Sequence, residues 1–279
     1  MIEDISIVFL NILLQDRTTG KNILWATADY NFEFDREIEI SQINLIRSRH
    51  EKVREQQKNR TRDRAEIFTP NWICEQQNNL IDEKFDRENW QEYILKKILE
   101  ITCGEAPYLV SRYDAVSGEK IPVANRIGML DRKLKLVSEQ VEDHEEWLYW
   151  AKKSVQNIYG YEFQGDNLFL ARCNVFLSVE EYFEERFKFS PPLNFLKEVA
   201  EIISWNLWQM NGLTNTAPFS KKLQPQQGSL DWLNNEEKNS EENYGEFFCR
   251  IKDWQTNELW EFNKPKERTE CLRKVSSTS

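Results

Sequence analysis

The spacing of apolar positions changes character several times along the chain. An apolar run covers 5–14, a Thr18-Thr19-Gly20-Lys21 turn follows, and 23–34 is mixed. Residues 38–64 are mostly polar and read as one long polar helix, so that 1–64 forms a helical N-terminal appendage. The next element opens at Phe68-Thr69-Pro70, with Thr69 as N-cap, Pro70 at the first helical position and Ile73, Leu80 and Ile81 as the inward stripe of a helix to about residue 85. A second helix over 89–97 leads into a strand, Ile98-Leu99-Glu100-Ile101-Thr102, which Cys103-Gly104-Glu105-Ala106-Pro107 breaks with a tight turn.

Ser117-Gly118 and Pro122 mark a hairpin or loop, and helices are expected over 129–137 and 145–157 before a second strand at 158–163. Apolar residues recur at helical spacing over 166–187, and another helix follows Pro191-Pro192 with Leu196, Val199, Ala200 and Ile203 inward. Residues 206–210 fit either the last turn of that helix or a third strand. Gln, Asn, Glu and Ser dominate 221–243, which reads as a mobile loop, and 247–254 with 258–262 reads as a closing hairpin. Strands alternating with helices predict an α/β fold with a doubly wound, mostly parallel sheet: one domain over 65–265, followed by a tail at 266–279.

Composition narrows the chemistry. With 279 residues, 40% of them hydrophobic, the chain can bury one sizeable core. The run at 5–14 is too short to span a bilayer and no targeting signal is visible, so the expectation is a cytoplasmic protein with no membrane partner. The five cysteines form no C-x-x-C pair, which argues against a disulfide framework or a structural zinc site. His50 and His144 both sit among charged residues and read as solvated, leaving little for histidine-based catalysis. A net charge of −10 disfavours nucleic acid as a partner, but it is unevenly spread. Between Arg47 and Arg64 eight basic residues stand against three acidic ones, a net +5 that leaves −15 for the remainder. That segment suits DNA phosphates, an acidic partner face or a solvated helix, with Arg54, Lys58 and Arg62 the residues to test.

In open parallel sheets ligands bind beyond the carboxyl ends of the strands, where a glycine turn lets backbone approach and a later acidic residue meets ribose hydroxyls. Both parts are present: the strand and turn over 99–109, and Gly160-Tyr161-Glu162 at the end of the next strand. At these residues the chain resembles the amino-methylating, adenine-specific DNA methyltransferases of restriction-modification systems, over 68–219. Arg64-Ala65-Glu66-Ile67-Phe68-Thr69-Pro70 is similar to the element whose Phe-Thr-Pro contacts the methionine end of S-adenosylmethionine. Residues 100–109 resemble the cofactor loop Asp-Pro-Ala-Cys-Gly-x-Gly-x-Phe-Leu. Tyr-Gly-Tyr-Glu-Phe with Leu-Ala-Arg-Cys-Asn-Val-Phe-Leu, within 158–177, resembles the block whose Glu binds the cofactor ribose.

The resemblance implies a methyltransferase-type sheet that holds S-adenosylmethionine through Phe68, Thr69, Glu100, Thr102, Cys103, Gly104 and Ala106. Glu162 takes the ribose, Phe163 lies against the adenine, and Asn211 meets the adenine edge. Ala106-Pro107 departs from the family, whose loop has glycine and another small residue there, and Asn211 stands where Asp is expected. The Asn/Asp-Pro-Pro-aromatic tetrapeptide that holds the target base does not occur: Ser190-Pro191-Pro192-Leu193 lacks the aromatic and Thr216-Ala217-Pro218-Phe219 lacks the amide or acid. The expectation is therefore a subunit with no catalytic residue of its own. A companion chain would supply that motif and the target-recognition domain on double-stranded DNA, the two chains sharing a continuous sheet near Trp205, Trp208, Phe219 and Trp260. A non-catalytic scaffold of the same fold is the alternative, and a nuclease lacks a carboxylate-and-lysine metal site beyond the loop residues Glu236-Glu237-Lys238.

Overall fold

Three short β-branched or aromatic-rich segments, each preceded by a helix, become parallel strands because neighbouring parallel strands must be joined by crossovers long enough to hold helices. In the computed structural model, which describes residues 2–27, 29–30, 32–52, 54–64, 69–85, 89–220 and 248–262, β1 (Ile98–Glu100), β2 (Ile158–Glu162) and β3 (Leu207–Gln209) pair in that order. All pairs are parallel, with Ile98 opposite Ile158 and Gly160 opposite Leu207. The chain is thus mixed α/β. The strand order holds no reversal among the described residues.

Four helices make the crossovers: α5 (Met129–Gln140) and α6 (His144–Gln156) from β1 to β2, α7 (Gly165–Phe187) and α8 (Leu193–Asn206) from β2 to β3. Every residue of α7 from 165 to 179 is buried, because α5, α8 and the sheet surround it. The opposite face of the sheet carries a smaller apolar cluster. Trp208, Met210 and Cys249 are buried there with Tyr159, Tyr161, Ile251 and Phe262, beneath the antiparallel hairpin β4 (Arg250–Asp253) and β5 (Glu258–Glu261). No helix among the described residues is long and apolar enough to cross a membrane.

Two buried cations brace the strand starts, each bonded to carbonyls alone. The Arg172 guanidinium on α7 donates to the carbonyls of Leu207 (2.8 Å), Leu13 (2.6 Å), Gln15 (2.9 Å) and Ser204 (3.2 Å). Lys133 on α5 donates to the carbonyls of Ile94 (2.9 Å) and Lys96 (2.5 Å), and burial pulls its ammonium down to about 7. Both end on the carbonyl-rich ends of helices, where positive charge is favoured.

The N-terminal residues differ from expectation. Helix α1 (Ile7–Leu14) buries Phe9, Leu10, Leu13 and Leu14 against α7 and α8, so it belongs to the main core rather than to an appendage. The predicted long helix over 38–64 is broken: short 3-10 segments occupy Ile40–Leu45 and Arg49–Glu51, and α2 begins only at Arg54, as Arg54–Arg64. The Glu51 carboxylate accepts from the Ser48 amide (3.0 Å) and hydroxyl (2.8 Å), a local bond that competes with helix continuation. Ile43, Ile46 and Lys52 all turn inward, a spacing that one straight helix could not supply.

Smaller shifts follow the same logic. Helix α3 (Asn71–Asp82) is capped by Pro70, not Thr69, and buries Cys74, Asn78 and Asp82 while Leu80 stays exposed. Helix α4 (Trp90–Leu95) precedes β1, the 206–210 ambiguity resolves into helix to Asn206 and strand from Leu207, and His50 packs near the Tyr113 ring at 5.5 Å rather than lying in solvent. Residues 221–247 and 263–279, with the predicted loop and tail, lie outside the described residues.

Candidate functional site

The loop after β1 is conformationally unusual. Thr102 (φ 48°), Gly104 (φ 54°) and Ala106 (φ 63°) are all left-handed, a state open to glycine but costly for the other two, above all for β-branched Thr102. The loop is fastened to β2 by the Cys103 amide, which donates to the Tyr161 carbonyl at 2.8 Å. Cys103 then buries its side chain against Gly160, where an added Cβ would meet the Cys103 sulfur at 3.2 Å and Leu207 at 2.8 Å. Gly160 is therefore a packing requirement for bringing the loop down on the sheet.

Glu162 closes β2 and is buried. Its Oε2 accepts the Gly104 amide at 2.9 Å, and its Oε1 accepts the Phe163 (2.9 Å) and Gln164 (3.0 Å) amides at the start of α7. One carboxylate thus couples the β1 loop to a helix N-terminus, which favours negative charge.

Glu100 closes β1 in a different state. Its Oε1 accepts the Tyr108 amide at a long 3.4 Å, and its enclosed Oε2 has no hydrogen-bond partner. Burial pushes its carboxyl well above the usual range, and the nearby Glu162 charge adds to the rise. Asn78 on α3 donates to the carbonyls of Tyr108 (3.0 Å) and Ile127 (3.2 Å), while its Oδ1 is likewise enclosed without a partner. Glu100 Oε2 and Asn78 Oδ1 are thus two buried polar atoms on this wall without hydrogen-bond partners.

These groups surround a cleft of about 1010 Å³ between α3 and the carboxyl ends of β1 and β2. Of the residues singled out from sequence, Thr69, Glu100, Thr102 and Cys103 lie on its wall, as do Gly104, Glu162 and Phe163. Ala106 is buried behind the loop, and its part is backbone shape. Asn211 is not on the wall; it accepts the Leu213 amide at 3.0 Å and bridges to Thr216. Phe68 lies outside the described residues.

Sequence reasoning missed Asn78, Gln77, Tyr108, Gln164 and Asn167, which also line the cleft. A signal existed for Asn78: Cys74, Asn78 and Asp82 recur at four-residue intervals, a buried stripe hidden because it is polar.

The basic segment is partly spent on folding. Lys52 and Arg60 are buried against Asp166, at 3.2 and 2.5 Å, so α2 docks on the start of α7. Arg62 faces outward on the cleft wall and Lys58 is exposed. Comparisons with family models, with curated proteins and with solved structures return no match to this chain.

Proposed function

We propose that the chain is the S-adenosylmethionine-binding subunit of a DNA-adenine methyltransferase whose base-holding Asn-Pro-Pro-aromatic motif and target-recognition domain come from a companion chain. The observation that carries this reading is the cleft itself. It opens at the carboxyl ends of adjacent parallel strands, the position where open α/β sheets bind nucleotide-like ligands, and combines a left-handed loop with a carboxylate at the next strand end. A sheet ordered β1-β2-β3 is what one half of a doubly wound methyltransferase sheet contains; the other half would belong to the companion.

The residues present fit the cofactor. Glu162 stands on the cleft wall at the end of β2, held in place by three amides, where a carboxylate can meet ribose hydroxyls. Glu100 Oε2 and Asn78 Oδ1 are polar atoms without hydrogen-bond partners on residues of the cleft wall, and a cofactor ammonium beside Glu100 would favour its charged form. Bound there, S-adenosylmethionine supplies an electrophilic methyl group. This chain's own residues bind, orient and exclude water, and transfer awaits a partner that holds adenine out of double-stranded DNA.

Calorimetry tests the reading. The chain should bind S-adenosylmethionine, and Glu162→Gln should weaken it roughly tenfold or more, the loss of a charge-assisted hydrogen bond. Labelled methyl transfer to DNA should need both chains. The position of Asn211, off the cleft wall, favours a second reading in which the same fold serves as a non-catalytic scaffold. Absence of cofactor binding by the chain and by its complex would select that one.

A further inference from the structure

Helix α2 contains no apolar residue, and what docks it on the body is polar. Arg60 pairs with Asp166 at 2.5 Å and with Asp29, and Gln57 donates to the carbonyls of Arg49 (2.9 Å) and Lys52 (2.8 Å). Gln57 and Arg60 thus define the inner side of the helix, which leaves Lys58, Asn59, Thr61 and Arg62 exposed. Lys58 and Arg62 are four residues apart, so they stand on one stripe, about 6 Å from each other along the axis. Arg62 also forms part of the cleft wall, which puts this stripe at the mouth of the cleft.

Charge is distributed along α7 so as to single out this end. The helix is 23 residues long, about 34 Å, and α2 sits on its first turn through Asp166. At its last turn Glu184 and Glu185 meet the start of α6, because the His144 ring contacts those of Phe187 (6.3 Å) and Phe189 (6.0 Å). Glu142, Asp143, Glu145 and Glu146 are all exposed around His144, and only Arg186 and Lys188 offset this acidic group. Between Arg47 and Arg64, in contrast, cations outnumber acids eight to three. A cationic pole beside the cleft and an anionic pole at the far end of α7 turn the cleft toward an approaching polyanion.

The composition of the outer face selects among polyanions. A protein interface needs an apolar centre, which α2 does not offer, whereas a sugar-phosphate backbone is met by cations with amide and hydroxyl groups between them. The Glu162 carboxylate on the cleft wall repels phosphates from the interior, so the backbone belongs across the mouth. We infer that the outer face of α2 is a phosphate-contact surface for double-stranded DNA, with Lys58 and Arg62 each taking a phosphate. It positions the duplex and reads no base. That the polyanion is duplex DNA rests on the methyltransferase reading; the contact needs no cofactor, so the two fail separately.

The full chain is titrated with fluorescent duplexes of unrelated sequence from about 50 to 200 mM salt, and with poly-L-glutamate. Lys58→Gln/Arg62→Gln is compared with Arg186→Gln/Lys188→Gln, which removes equal charge from the far end of α7, and with the charge-conserving Lys58→Arg/Arg62→Lys. The first variant should bind every duplex about five-fold to fifty-fold more weakly, and its slope of log affinity against log salt should shrink by about 1.8, roughly 0.9 for each phosphate lost. The other two should bind as the unsubstituted chain does. Equal losses at both ends reduce the effect to net charge and overturn the surface, as does an unchanged slope in Lys58→Gln/Arg62→Gln. Failure of Lys58→Arg/Arg62→Lys to bind overturns it by making the side chains structural. A loss toward poly-L-glutamate and not toward the duplexes overturns it in favour of an acidic protein. A chain that binds S-adenosylmethionine but no duplex overturns the surface and leaves the cofactor reading intact, whereas duplex binding with the expected losses and no S-adenosylmethionine binding supports the surface and removes that reading.

Discussion

Two buried carboxylates stand close to the carboxyl ends of the strands, Asp166 in the first turn of α7 and Glu100 at the end of β1, and they are treated in opposite ways. Asp166 accepts from Lys52 (3.2 Å), Arg60 (2.5 Å) and Tyr30 (3.1 Å), and its other oxygen accepts the Asn167 amide at 2.9 Å. Burial alone would raise its carboxyl, yet the Lys52 and Arg60 cations outweigh burial and hold it below the usual range. Glu100 has one long bond, one oxygen without a donor and a carboxyl held well above that range. The first arrangement is complete within the fold, and the second leaves one oxygen without a hydrogen-bond partner. A buried polar group left unsatisfied costs stability, and on the cofactor reading Glu100 is a group on the cleft wall that a ligand would satisfy.

The largest effect that can break this comparison is structural. Asp166→Ala leaves the buried Lys52 and Arg60 charges without their shared anion, and removing one partner of a buried pair costs about 3–5 kcal/mol. Denaturant titration should show that loss, together with undocking of α2. A loss below about 1 kcal/mol would mean that water or Asp29, which also pairs with Arg60, replaces the carboxylate, and the contrast with Glu100 would collapse.

Glu100→Gln should do the reverse. It removes a group whose charged form the fold disfavours, so stability at neutral pH should hold or rise, while S-adenosylmethionine affinity falls about tenfold to hundredfold because an amide cannot become the carboxylate that pairs with the cofactor's ammonium. An unchanged affinity would return Glu100 to a purely structural role.

The pH dependence sharpens the same contrast because the signs differ. Glu100 has a folded-state pKa raised above its unfolded value of 4.5, so the folded chain holds its proton longer; the stability it contributes is present below pH 4.5 and is lost as pH rises through the folded value. Asp166 has a folded-state pKa below 3.8, so its contribution is present above pH 3.8 and is lost as pH falls. Stability measured against pH should therefore lose its falling neutral limb in Glu100→Gln and its rising acid limb in Asp166→Asn. Superimposable curves for wild type and both variants would remove the electrostatic basis of the distinction.

What the sequence disclosed follows the same division. Long helices such as α5, α6, α7 and α8 were legible because their apolar spacing is driven by one continuous core. The strand ends were legible too, since Cys103-Gly104 and Gly160-Tyr161-Glu162 carry the turn and the carboxylate in adjacent registers. Residues 38–64 were misread because Lys52 and, on α2, Arg60 are drawn in by ion pairs to Asp166, more than a hundred positions away, which no local period can report. Asn78 escaped for a related reason: its place on the inner face of α3 is set by the carbonyls of Tyr108 and Ile127, not by apolar burial. Asn211 was assigned from block order, whereas the turn that follows β3 bends it back toward Thr216.

The smallest expected effect probes the loop that lies between the two acidic strand ends. Thr102 holds a left-handed backbone at φ 48° on the cleft wall, where a β-branched side chain is strained and glycine is not. Thr102→Gly relieves that strain but frees the unfolded chain, so the two changes oppose each other and the net gain should be only about 0.5–1 kcal/mol. Binding should move the other way. A loop fixed in advance by its own strain spends less ordering entropy when it meets a ligand, so Thr102→Gly should weaken S-adenosylmethionine by a few-fold while stability rises. Thermal unfolding and calorimetry on the same variant decide the matter. If stability falls and affinity is unchanged, the Thr102 side chain is a packing element, and the left-handed turn is a consequence of the β1–β2 junction rather than a preparation for the ligand.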